Sequence, residues 1–291
     1  MRARGIRSAI AVGVALAVLA VGTMAAALDG LARTGLWRGG YNADDLLVVL
    51  AIGSDRGPPY RPGDPAGGLA DGIHLFVVDT ATARMTVIDI PRDSAIGGTK
   101  VNAHLRAGGP AGLESQLEAW TGLPIDFWVL GTFLSVERMV HILGGVPVDV
   151  PQRMADPFSG TDLQPGPQVL GPGQALAFTR DRKSLADGDI GRSRNQTRLM
   201  LAALEHVRSA ADGNLAYLVS VVGALRQHTL SNVPSGEVLP LAVTALRIQP
   251  DAIEQVTLSG PFGTIDGGSV IYPQPGGIFE RLRAGQVGPQ Q

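Results

Sequence analysis

Leu46-Leu47-Val48-Val49-Leu50-Ala51-Ile52 is an unbroken apolar run of strand length, and it ends in Gly53-Ser54-Asp55-Arg56-Gly57. Downstream, Ile73–Val78 and Met85–Ile90 are β-rich runs joined by a short Thr/Ala turn, the pattern of a hairpin. Gly112–Trp120 and Phe133–Leu143 carry apolar residues at helical spacing; Ile125–Leu130 reads as a strand between them, and Val146–Val150 as another after the Gly144-Gly145 stop. Strands and helices alternate, which predicts an α/β domain, a three-layer α/β/α sandwich around a central mixed sheet. Residues 151–172, rich in Pro and Gly, read as a loop or lid. Gly173–Thr179, Arg192–Ser209 and Leu215–Gln227 read as helices, followed by a helix near 235–247, a strand at Gln255–Ser259 and a short helix near 277–284. One domain is therefore expected over 46–286, with residues 287–291 as a disordered Gly/Pro/Gln tail.

The 291 residues are 45% hydrophobic, with 39 Gly and 20 Pro, enough for one loop-rich globular domain with a sizeable core. Ala9 to Leu28 contains no charge and follows Arg2, Arg4 and Arg7, so residues 1–28 read as a cytoplasmic stub and transmembrane anchor. Residues 29–45 read as a tether, and the domain beyond them is placed outside the cell membrane. A cleaved secretory signal is the competing reading, since Ala25-Ala26-Ala27 offers small residues to a peptidase, and it exports the domain equally. There is no cysteine, which excludes disulfides and thiolate metal sites and leaves oxygen or imidazole as the donors for any metal.

Charge is distributed unevenly. From Asp29 onward the chain has 21 basic against 26 acidic residues, yet residues 180–198 carry six basic side chains (Arg180, Arg182, Lys183, Arg192, Arg194, Arg198) against three acidic ones. A local cationic cluster in an acidic domain suits a compact anion such as phosphate, whereas nucleic acid would favour a broadly basic face. A solvated helix face can also collect arginines. Gly188-Asp189 reads as the entrance of the following helix, with Asp189 as its cap and Arg192 and Gln196 four apart on one face.

Acidic residues at the mouths of adjacent strands, Asp55 and Asp71, are placed to share a divalent cation, though each is as readily a turn or cap residue. Arg92, at the end of the hairpin's second strand, is positioned as a ligand-binding residue with Asp93 able to orient it; a surface salt bridge is the plainer reading. Trp128, Leu130, Phe133, Leu134, Met139, Val140 and Leu143 could line a slot for an apolar chain, or simply form core.

The ordered motifs GSDRG, ADG, VIDIPRDS, KVNAHLRAGG, TGLPIDFWVL, LGGVPVDV, DLQPGPQVLGPGQALAFTRDRKS and GDIGRSRNQTRLMLAAL, spread over residues 46–207, resemble the LytR-CpsA-Psr family of envelope phosphotransferases. The resemblance implies an Mg2+-dependent transfer of a glycopolymer from a polyprenyl-pyrophosphate carrier to a peptidoglycan hydroxyl at the cytoplasmic membrane. It implies that Asp55 and Asp71 bind Mg2+, and that Arg92, Arg180, Arg182, Arg192 and Gln196 hold the pyrophosphate, with Lys100 and Asn102 nearby. Arg92, Arg180 and Asp71 would be the catalytic groups; Asp71 or Asp93 could activate the acceptor hydroxyl. Such chemistry is mostly positioning and charge neutralisation, which arginines and a metal can supply.

The chain departs from the family pattern at three places. Asp71-Gly72-Ile73-His74 stands where Asp-Thr-Ile-Met is usual, Asn195 stands where an arginine is usual, with Arg194 one residue earlier, and Gly53–Asp71 has a Pro/Gly-rich filling. A non-catalytic module binding prenyl phosphates or anionic glycans, and a prenyl-pyrophosphate pyrophosphatase, are the alternative readings.

Overall fold

The computed structural model describes residues 46–56, 68–212 and 214–290. The expected anchor and tether lie outside these, and among the described residues no helix is long and apolar enough to cross a membrane.

The chain begins with the antiparallel strands β1 (Leu46–Ser54), β2 (Ala70–Asp79) and β3 (Arg84–Asp89), then a small ribbon of β4 (Ala95–Ile96) and β5 (Thr99–Lys100). Helix α1 (Ala103–Thr121) leads to β6 (Phe127–Thr132), which pairs parallel to β1. Helix α2 (Phe133–Ile142) follows without a linker because Thr132 caps it, exchanging hydrogen bonds with Ser135. Strands β7 (Val146–Val150), β8 (Met154–Asp156), β9 (Thr161–Leu163) and β10 (Gly166–Leu170) come next, then helices α3 (Pro172–Arg180), α4 (Asp189–Ala211) and α5 (Leu215–His228). The chain closes with β11 (Leu230–Ser231), α6 (Val238–Arg247), β12 (Ile253–Thr257), the hairpin β13 (Phe262–Ile265) and β14 (Gly268–Ile271), and α7 (Ile278–Arg283).

The central sheet has the order β11-β6-β1-β2-β3-β12 and is mixed, as the alternation of strands and helices predicts. β1 can be apolar throughout because both its faces are covered. Leu46, Val48, Leu50 and Ile52 pack with Leu113 and Leu117 of α1 and Phe279 of α7, and Trp120 meets the Phe279 ring edge-on at 4.9 Å. Leu47 joins Val78, Met85 and Val87 on the other face, against Leu201 and Leu204 of α4 and Leu241 of α6. Val140, Val148, Leu170, Phe178 and Leu199 form a further core that fixes α2, α3 and α4 beside the sheet.

Three segments correct the sequence-based expectation. Residues 151–172 are not a plain loop: β8 pairs with β9 and β10 with β7. Met154, Asp156, Thr161 and Leu163 alternate buried with exposed neighbours, a period hidden by turn prolines and glycines. Helix α1 starts nine residues before Gly112, since Gly109, at φ +67°, bends it ahead of Pro110 and breaks the periodicity. Residues 287–289 are packed rather than frayed: Val287 is buried, Gly288 N donates to Thr86 Oγ1 at 2.8 Å, and Arg84 Nη2 donates to the Pro289 carbonyl.

Candidate functional site

Strand direction decides what meets at one edge of the sheet. β1 ends where β2 begins, with Gly53 opposite Gly72, so Asp55 and Asp71 sit at neighbouring strand ends. β3 ends at the same edge and delivers Arg92, whose carbonyl accepts from Asn102 N at 3.2 Å, while the Asn102 carbonyl accepts from Ala70 N at 3.3 Å. The C-terminus of α3 brings Arg180, and the first turns of α4 bring Asp189, Arg192 and Gln196.

The centre of the cluster is Asp189. Its Oδ1 lies 2.8 Å from Arg192 Nη2, 3.4 Å from Arg182 Nε and 3.5 Å from Arg92 Nε. Arg92 also donates through Nη1 to Asp71 Oδ1 at 2.5 Å, so it bridges the two carboxylates. Three guanidinium groups thus face two carboxylates, and the excess is cationic. Arg192 and Asp189 are 4% and 8% exposed, a burial that charged groups tolerate only when paired. Burial pulls the Arg192 pKa down; Asp189 pushes it back up, and Arg92 adds a further downward pull. For Arg92 burial also works downward, but Asp71, through charge and hydrogen bond, and Asp189 outweigh it and the pKa is raised.

The pairings around Asp189 are at ion-pair distance without hydrogen-bond alignment. Arg92 Nε, Arg192 Nε and Nη2, and both Asp189 oxygens are buried with their hydrogen-bonding capacity unspent. Buried polar groups are normally satisfied, and unspent guanidinium donors beside an open edge are what a phosphate oxygen would complete.

Gln196 closes the site from α4, with Nε2 3.4 Å from the Asp71 carbonyl and 3.2 Å from the Thr179 carbonyl. Arg180 is exposed and stacks 4.9 Å over the Phe133 ring at the start of α2. Asp55 donates its N–H to the Leu69 carbonyl and accepts from Leu69 N through Oδ1 at 2.7 Å.

Arg92, Asp71, Arg182, Arg192 and Gln196 therefore come together as the motifs suggest, and Arg180 flanks them. Lys100 Nζ is held 2.8 Å from Asp93 Oδ1, and Asp93 adds to the upward pull on the Arg92 pKa. Arg194 is no substitute for the missing arginine, because it points to Asp187 and lines a separate cleft of about 530 Å3 with Gln255 and Thr257. Asn195 is buried beside Met154 and accepts from Arg198 Nη1 at 2.8 Å. Among the described residues no cluster of three or more Asp, Glu or His side chains could hold a metal ion. Phe133 touches Arg180, while Leu130, Val140 and Leu143 are buried core.

Two features escape a reading of the sequence. Asp189 is the first residue of α4, with Gly188 before it, and its side chain makes no cap bond; the Asp189/Arg192 spacing of three was the available signal for an ion pair. The second is a buried His74–Asp89 pair, 3.0 Å apart, for which the sequence holds no signal beyond the strand register.

This arrangement occurs in a chain that belongs to the LytR_cpsA_psr family, whose profile matches residues 27–282. It is 24% identical over 221 residues to the polyisoprenyl-teichoic acid–peptidoglycan teichoic acid transferase TagV of Bacillus subtilis, covering 72% of this chain and 56% of TagV. It is 24% identical over 304 residues to the cell wall biosynthesis protein LcpA of Corynebacterium glutamicum, covering 88% of this chain and 55% of LcpA. The chain thus spans little more than half the length of these relatives. The crystal structure of gbs0355 from Streptococcus agalactiae shares the fold, with a TM-score of 0.71 at 20% identity over 85% of this chain and 90% of that one.

Proposed function

We propose that this chain is an envelope phosphotransferase that moves a glycopolymer from a polyprenyl-pyrophosphate carrier to a peptidoglycan hydroxyl. In this reaction the hydroxyl oxygen bonds to the sugar-bearing phosphorus, the bond to the bridging oxygen breaks, polyprenyl phosphate leaves, and the hydroxyl proton passes to a base. The observation that carries the reading is the set of buried, unspent N–H groups on Arg92 and Arg192 around Asp189. They are aimed donors for the equatorial oxygens of a transferred phosphoryl group, where charge accumulates. Arg182 and Arg180 extend the same cationic surface toward solvent.

A polyprenyl chain needs an apolar seam next to these donors. Val49 and Phe76 on the sheet, Leu201 and Leu204 on α4 and Leu241 on α6 pack together but are each only half-buried. We assign the prenyl chain to these partly open side chains on the α4 face, in place of the β6/α2 residues.

Asp55 and Asp71 fit Mg2+ as a two-carboxylate set, because each has one oxygen engaged by the protein and a second without a partner among the described residues. Mg2+ usually takes one or two carboxylates and leaves its other positions to water and substrate phosphates. Bound there, it would neutralise charge on the pyrophosphate. Arg92 holds Asp71 in place for that role. The uncharged run 9–28 would keep the domain on the outer side of the cytoplasmic membrane, where a lipid-linked donor resides.

The test is phosphate release from a short prenyl pyrophosphate by the full chain, with and without Mg2+. Metal-dependent turnover is expected. Tight prenyl-pyrophosphate binding without turnover would replace the enzyme by a binding module.

A further inference from the structure

Behind the arginine cluster lies a closed polar chain that the transfer reaction as described does not use. His74 and Asp89 are directly opposed on β2 and β3, 3% and 0% exposed, with His74 Nδ1 3.0 Å from Asp89 Oδ1. Thr197 of α4 donates to the same oxygen through Oγ1, and Gln255 Nε2 and Thr257 Oγ1, both from β12, each donate to Asp89 Oδ2 at 2.7 Å. On the other side of the ring, His74 Nε2 lies 3.2 Å from Gln196 Oε1.

The two carbonyl contacts of Gln196 fix the hydrogen on His74 Nε2. Gln196 Nε2 faces two carbonyls, those of Asp71 and Thr179, so the amide nitrogen must point there and Oε1 must face His74. His74 Nε2 therefore carries a hydrogen. On the other ring nitrogen, Nδ1 lies 3.0 Å from both Asp89 Oδ1 and Thr197 Oγ1, so a carboxyl and a hydroxyl clamp the ring on its inner side.

We propose that His74 is a positioning residue. Held through Nδ1 by Asp89 and Thr197, it donates Nε2–H to Gln196 and so locks the Gln196 amide between the Asp71 and Thr179 carbonyls. That lock ties the strand end bearing Asp71 to the helix end bearing Arg180, the two sides of the site. Gly72 belongs to the same device: a Cβ there would come within 3.1 Å of Gln196 Oε1 and 3.3 Å of His74 Nε2, and the pair would have to give by a few tenths of an ångström to admit it.

The kinetic part of this rests on the phosphotransfer reading, and the spectroscopic part does not. A long-range proton–nitrogen spectrum of the full chain labelled with 15N-histidine, with His74 assigned by its loss in His74→Gln, should show a hydrogen on His74 Nε2. A bare Nε2 at His74 would overturn the proposal. In turnover, His74→Leu should lower kcat about tenfold with KM changed less than about threefold, the effect of one hydrogen bond. His74→Gln, whose amide can donate from near the Nε2 position, should recover kcat to within about threefold. Wild-type kcat in His74→Leu, or no recovery in a folded His74→Gln, would refute it. An inactive wild-type protein whose His74 Nε2 carries a hydrogen would count against the proposed reaction instead.

Discussion

Asp189 Oδ1 sits 2.8 Å from Arg192 Nη2 on the first turn of α4, and the same oxygen faces Arg92 and Arg182. One carboxylate thus gathers three cations, the buried Arg192 among them, before any substrate arrives. Asp189→Ala leaves the buried Arg192 uncompensated, while Arg92 keeps Asp71, and should lower stability by roughly 3 kcal/mol, or about 6–12 °C in Tm for a domain of this size. Inorganic pyrophosphate should raise the Tm of the variant more than that of the wild type, since the anion replaces the lost charge. A thermal melt with and without pyrophosphate checks both; equal shifts would remove the cluster from the anion site.

Arg192 should behave in the opposite sense. Its folded-state pKa is lowered, chiefly by burial, so its charge opposes folding at every pH below that folded value, which includes the whole neutral range. Arg192→Met removes a desolvated cation and leaves Asp189 with Arg92 and Arg182. We expect stability to change by less than about 1 kcal/mol, while pyrophosphate affinity falls about 10- to 100-fold. Calorimetric titration against pyrophosphate, with a melt of the same sample, separates the two effects. A large loss of stability would show Arg192 to be structural.

The sheet was readable from β1 to β3 because continuous apolar runs with a short connecting turn leave little choice of element. The ladder at β8 to β10 was not, since the residues that alternate there are separated by Pro157, Gly160 and Pro165. The arginines were readable as a group through local charge density. Their geometry was not, because it depends on Asp189 turning inward, and composition cannot tell a helix cap from a counter-ion. Lys100, which the family resemblance sets near the pyrophosphate, is paired with Asp93 through the β4–β5 ribbon, a contact that no sequence pattern signals.

Arg180 differs from the other cations in being exposed and held by stacking. The Arg180→Ala variant should lose at least about 100-fold in turnover if its charge meets the pyrophosphate, since removing one donor to developing charge has that effect. Phe133→Leu keeps the charge and loses only the ring contact, worth about 0.5–1 kcal/mol, so turnover should fall about two- to fivefold. Phosphate release measured on the pair decides the matter. Near-normal activity in Arg180→Ala would make the stack a structural contact.

Gly72 and His74 should be energetically coupled through Gln196. Gly72→Thr places a Cβ against Gln196 Oε1 and His74 Nε2 at 3.1 and 3.3 Å, closer than ordinary contact, and the amide must give way. In the wild-type background this should lower both Tm and kcat. His74→Met removes the ring that constrains the amide, so the same Gly72→Thr change should then be milder, with a coupling of at least about 0.5 kcal/mol in a double-mutant cycle. The cycle is read from denaturant melts of the wild type, both single variants and the double variant. Additive effects would mean that the two departures from the family pattern arose separately, and that the strand end at Asp71 is held by something other than the His74–Gln196 bond.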